Sequence, residues 1–181
     1  MAGRQRPGVE TLLAQLTGTD PDAVRSAALE LGDLREYGAV PTMLEILGAT
    51  PDPSVRNGVA YALSAMRIPE TFEVIVDLLQ QDRTRNARGT LLYALRPFDY
   101  APILPLLVDL VITDGWEAAR EAAYLISELE TVPVETWDPL KDRLQAAYEE
   151  VDPPYAVKDP ERRDVIRFLI DFFEEEFDGP A

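Results

Sequence analysis

The sequence has no cysteine and no histidine among its 181 residues. Without cysteine there can be no disulfide and no thiolate chemistry, and composition gives no clue to redox compartment. Without histidine, zinc sites of the usual kind, Ser-His-Asp and Cys-His catalysis and the commonest general base are excluded. Long apolar runs are missing too: no stretch approaches the roughly 18 residues of a membrane span. The first seven residues, Met1 to Pro7, lead into no apolar signal-peptide core, so a cytoplasmic protein is expected. Lysine is scarce, two beside 15 arginines, a bias from which nothing functional follows.

Positive charge is in short supply overall. The chain carries 17 basic and 33 acidic side chains, net -16. Such a balance favours basic partners and repels phosphate backbones and anionic membrane surfaces, so neither nucleic acid nor membrane is an expected ligand. Residues 1–113 hold 14 acids and 10 bases, whereas 114–181 hold 19 and 7, so the C-terminal third is the charged end. A chain of this length buries about 70% of its unfolded surface as one domain, and a single domain over 1–181 is expected.

What is present is a repeat. Arg25, Arg56, Arg88 and Arg120 follow one another at 31, 32 and 32 residues, each after a small apolar residue. Glu45, Asp77 and Asp109 recur at 32 inside apolar runs such as Leu44-Glu45-Ile46-Leu47. Two independent markers with one period mean stacked supersecondary units. Asp20-Pro21 and Asp52-Pro53 give an N-cap followed by proline at the first helical position, which predicts helices over 21–34 and 53–65. Their partners are expected over 40–47, with Gly38 ending the preceding turn, and from Pro69 to 81. A third pair starts at Asp82 or Thr84, contains Gly89, ends before Pro97, and continues with a helix capped by Asp99. Asp114 with Glu117 reads as a capping box for a helix to about 130, and Thr136 or Asp138 starts its partner.

The segments are therefore a half-repeat at 9–18, repeats at 20–48, 52–81, 83–113 and 114–150, a three-proline linker at 151–160 and a helix at 161–177. That last helix is apolar on more than one face and must be buried. It is expected to close the end of the stack; the sharper alternative is a homodimer or partner groove.

The runs Asp20-Pro21-Asp22-Ala23-Val24-Arg25 and Ala39-Val40-Pro41-Thr42-Met43-Leu44 resemble HEAT repeats of the short, bacterial, phycobilisome-lyase-like type, and the resemblance covers about residues 20–150. It implies an all-α, right-handed α-solenoid of about five stacked helix pairs with a C-terminal capping helix, the second helices lining the concave side. Val24-Arg25 and Val55-Arg56 match the motif fully, Ala87-Arg88 and Ala119-Arg120 keep only the arginine, and Leu140-Lys141-Asp142-Arg143-Leu144 departs from the second-helix pattern. Members of the wider class bind proteins, attach bilin pigments as lyases or, in one glycosylase family, act on DNA; the last needs basic surfaces that this chain lacks.

No catalytic, cofactor-binding or metal-ligating residue is assigned. The arginine ladder is expected to be structural, bonding acids at the starts of neighbouring helices, and Tyr61 and Tyr93 to pack between repeats. Arg83 and Arg85 beside Arg88 form the one basic cluster, solvated or paired within the chain. The acids on the second helices should be exposed, and the residues one turn earlier share their ridge. The expected partner-binding strip is Glu45, Glu73, Asp77, Asp109 and, as aromatic anchor, Trp137. The leading function is a non-enzymatic scaffold that binds a basic protein through its concave face and, as an immunity or antitoxin-type factor, inhibits it. The alternative is a lyase or enzyme-accessory protein of the phycobilisome-lyase class, which would need a small-molecule pocket.

Overall fold

The computed structural model describes residues 7–149 and 160–177, with side-chain surroundings in the last helix described for 162–174. The expected linker at 151–160 falls, except for Pro160, outside the described residues. Among the described residues there are ten α-helices, three short 3-10 turns and no strand. The chain is expected to be a single domain; its Cα neighbourhoods group into two compact units that divide between Phe98 and Asp99.

The first unit holds α1 (Val9–Leu16), α2 (Pro21–Asp33), α3 (Val40–Ala49), α4 (Pro53–Ala65), α5 (Glu70–Leu79) and α6 (Gly89–Tyr93). Both Asp-Pro starts work as the sequence implies. The Asp20 carboxylate accepts from the Asp22 N–H at 3.1 Å, and Asp52 accepts from the Ser54 and Val55 N–H groups at 2.8 and 3.0 Å. The prolines follow at the first helical position, where no N–H is needed.

The helices end within a residue of expectation, but arginine rather than glycine makes the turn. α2 stops at Asp33, and the turn is made by Arg35 in the left-handed region, φ 53°, with Arg67 doing the same after α4 at φ 57°. The Glu36 N–H then reaches the Leu31 carbonyl at 2.9 Å and the Ile68 N–H the Leu63 carbonyl at 3.1 Å, closing both helices with a Schellman motif. Gly38 lies instead in the 3-10 turn Tyr37–Ala39. Between these caps α2 and α4 pack closely, and Ala27, Ala28 and Leu31 of the one and Val59, Ala60 and Leu63 of the other are buried. Gly32 permits the approach: a Cβ there would stand 2.9 Å from the Ala62 Cβ, closer than side chains tolerate.

The third pair begins irregularly. Instead of one helix from Asp82 or Thr84, a 3-10 turn at Asp82–Thr84 precedes the five residues of α6. Side chains hold the backbone of this turn. The Thr84 hydroxyl lies 2.5 Å from the Leu78 carbonyl and 2.8 Å from that of Gln81, while Arg88 donates from Nε to Thr84 Oγ1 at 3.2 Å and from Nη2 to the Gln81 carbonyl at 2.9 Å. Such bonds offer the chain an alternative to the helical ladder, and Gly89 weakens the ladder further.

The second unit holds α7 (Leu104–Thr113), α8 (Trp116–Ser127), α9 (Val134–Glu149) and α10 (Pro160–Phe177). Asp99 is expected to cap the helix, but its carboxylate accepts from the Ala101 N–H at 3.2 Å ahead of the 3-10 turn Ala101–Ile103, and α7 begins only at Leu104, with Ile103 as N-cap and no side-chain cap bond. The expected capping box at Asp114 is absent: Gly115 is the N-cap of α8, without a side-chain bond, and Asp114 is buried with its carboxylate on the Gly115 N–H at 2.7 Å. α10 lies against α8, α9 and α7, burying Ile166, Leu169, Ile170 and Phe173. Its Arg162 reaches the carbonyls of Ile112 and Asp114 at the end of α7, where a cation suits both the orphan carbonyls and the helix dipole.

Candidate partner-binding surfaces

In the first unit the second helices present acids outward. α3 buries Met43 and Leu47, and α5 buries Thr71, Ile75, Leu78 and Leu79. Glu45, Glu73 and Asp77 lie on the remaining faces and are exposed. Glu73 and Asp77, four residues apart, share one ridge of α5. Among the described residues none of the three pairs with a cation; Asp77 accepts only from the Gln81 amide, at 2.6 Å. Near Glu45 an open cleft of about 510 Å³ is lined by Leu16, Pro21, Val24, Ile46 and Val55.

The basic cluster is spent within the chain. Arg83 donates to the Gly48 and Thr50 carbonyls, at 2.6 and 3.0 Å, so its charge sits at the C-terminus of α3, and its Nε reaches Gln81 at 2.6 Å.

In the second unit the strip takes a different form. Asp109 is half exposed, yet its carboxylate pairs with Arg143 of α9. Trp137 is only 4% exposed and its ring stacks on Phe173, centroids 3.4 Å apart. It is a core residue, which corrects its expected role as an exposed anchor. The reason lies in α9, where Trp137, Leu140, Leu144 and Ala147 are the buried positions. That stripe, at spacings of three and four, runs through the position that is exposed as Pro41, Glu73 and Pro105 in α3, α5 and α7, and α10 covers it.

The four arginines of the ladder meet four different surroundings. Arg25 pairs with Asp22 of its own helix at 3.7 Å, and Arg88 binds the turn before it. Arg56 is 1% exposed, and its guanidinium nitrogens find no hydrogen-bond acceptor among the described residues, against the expectation of a bonded arginine. Asp52, the acid nearest in sequence, is engaged by the backbone of α4. Burial pushes the Arg56 guanidinium below its ordinary pKa, the charge of Arg83 adds to this, and Asp52 opposes it. Arg120 stacks over Trp116 at 4.6 Å and Tyr124 at 5.8 Å and meets Glu121 at 3.5 Å. Tyr61 and Tyr93 stack on each other, centroids 6.3 Å apart.

One surface was not anticipated. Between α8 and α10 an open groove of about 300 Å³ is lined by Trp116, Arg120, Tyr124, Asp164, Val165 and Phe168. Its signal was readable: Trp116, Arg120 and Tyr124 are spaced by four along α8, opposite a stripe of buried alanines. Aromatics on the polar side of an amphipathic helix ask for an explanation.

No helix among the described residues is long and apolar enough to cross a membrane. A comparison with curated proteins finds no match. Among solved structures, a crystal structure of an engineered protein matches with a TM-score of 0.55 and 19% identity, covering 96% of this chain and 89% of that one; this is a likeness of fold. Residues 9–96 match the family model described as HEAT repeats, the stretch that contains both fully formed Asp-Pro starts and the two Schellman ends. Over residues 9–96 the chain is similar to HEAT repeats, and its helix pairs there are stacked as that family's are.

Proposed function

We propose that the protein is a cytoplasmic, non-enzymatic scaffold that binds a basic protein through the acidic faces of its second helices. HEAT repeats generally serve protein–protein interaction. The observation that carries the finer reading is the set Glu45, Glu73 and Asp77: three exposed carboxylates on α3 and α5, none offset by a cation among the described residues. Asp109 takes part more weakly, because Arg143 already meets it. Exposed acids of this kind speed encounter with a cationic partner and make it salt-sensitive. An immunity or antitoxin-type role, in which binding inhibits the basic partner, fits this chemistry; nucleic acid, repelled by a net charge of -16, does not.

Affinity capture from the native host with mass spectrometry, repeated with a Glu45→Lys, Glu73→Lys, Asp77→Lys variant, tests the reading. The expected result is a basic protein retained by the wild type and lost by the variant, with helicity unchanged. A partner that is acidic, or one held equally by both proteins, would sink it.

A further inference from the structure

The loss of Trp137 as an anchor leaves the acidic strip without a buried centre, and interfaces draw most of their energy from a few desolvated aromatic or arginine sites. The second unit, taken by itself, holds such a group of rings in the groove between α8 and α10. Trp116, Tyr124 and Phe168 are 39, 44 and 46% exposed, three large rings around one depression within the second unit. Monomeric proteins seldom leave such groups together in water without a use for them. Two of the rings are already aligned, since the Arg120 guanidinium lies over both and fixes Trp116 and Tyr124 along one face of α8. An anchor site held in place before binding loses less rotamer entropy on binding.

Charge identifies the occupant. Residues 99–181 carry 21 acidic and 7 basic side chains, against 12 and 10 in residues 1–98. Within the groove the fixed cation, Arg120, is met by Glu121, while Asp164 is exposed and pairs with nothing among the described residues. Glu117, next to Trp116, is exposed as well. An acidic segment would be repelled by this unit, and a second copy of the chain would bring a second large negative charge. A cationic segment with apolar side chains satisfies both the rings and the carboxylates.

We propose that this groove is the anchor site for an arginine- or lysine-rich segment of the partner, which seats an apolar side chain among Trp116, Tyr124 and Phe168 and places a flanking cation at Asp164. The inference rests on the reading of a basic partner and names the part of the molecule that holds it longest.

The test uses a fluorescein-labelled arginine-rich peptide carrying two leucines, and the same peptide with serines in their place. Each is titrated against the full-length wild type, Phe168→Ser, Trp116→Ala, and a Glu45→Lys, Asp77→Lys variant, with circular dichroism confirming that each protein is folded. The leucine peptide should bind the wild type about tenfold more tightly than the serine peptide, and either groove substitution should remove that advantage. Equal binding of the two peptides overturns the anchor. An advantage that survives Phe168→Ser and Trp116→Ala but vanishes with Glu45→Lys, Asp77→Lys overturns the groove while sparing the basic partner. No binding of either peptide counts against both. A wild type that sediments as a dimer, and becomes a monomer with Phe168→Ser, shows a second copy in the groove and overturns the cationic occupant.

Discussion

Glu73 and Trp137 hold the same place in the repeat, one turn before the ridge position of a second helix, and their fates are opposite. In the first unit Glu73 is exposed on α5; in the second Trp137 is buried on α9 against Phe173. The ridge acids of the two units differ likewise, Asp77 on α5 meeting only a glutamine amide and Asp109 on α7 an arginine. The period fixes where the backbone of each helix lies in its pair. What a side chain faces depends on whether a further helix lies over it, and in the second unit α10 does.

The largest effect that would break this comparison is at those two positions. Trp137→Ala should destabilise the protein by about 3–5 kcal/mol, the usual cost of emptying an aromatic core site, whereas Glu73→Ala should stay within about 0.5 kcal/mol. Urea unfolding of both variants decides it; similar losses would mean that the two places are equivalent after all.

Next come the arginines that share a repeat position without sharing a role. Arg88→Ala should cost about 1–3 kcal/mol, because it strips the bonds that hold the turn at Gln81 and Thr84. Arg56→Met should cost nothing and can gain about 1 kcal/mol, since it replaces a buried charge without hydrogen bonds by an apolar chain of similar length. Melting temperatures that fall equally would show that Arg56 is bonded in solution.

The smallest effect concerns the helix ends of the first unit. Arg35→Gly and Arg67→Gly should each gain up to about 1 kcal/mol, by relieving a left-handed conformation that side chains resist, less the entropy that glycine adds to the unfolded chain. A loss at Arg67 but not Arg35 would reveal a contact made by the Arg67 side chain.

Much of this was legible beforehand. Asp20-Pro21 and Asp52-Pro53 announced two helix starts that form with the expected caps, because capping is settled by residues within a turn of one another. Glu45, Glu73 and Asp77 were placed outward correctly, since the apolar residues around them leave one orientation. The broken start of the third pair was not legible: it depends on Thr84 and Arg88 reaching back to carbonyls of a turn that the fold must first create. Nor was it legible that the buried Arg56 guanidinium would find no hydrogen-bond acceptor among the described residues.

The sequence by itself determined the helical repeat, its period, most helix starts and the sign of the charge, all of which follow from local propensity, hydrophobic spacing and counting. Only the tertiary structure decided that Trp137 is core and that Trp116, Tyr124 and Phe168 share a groove. Both outcomes turn on how α10, a later helix, lies against α8 and α9, and periodicity within one helix carries no information about which of its neighbours will cover it.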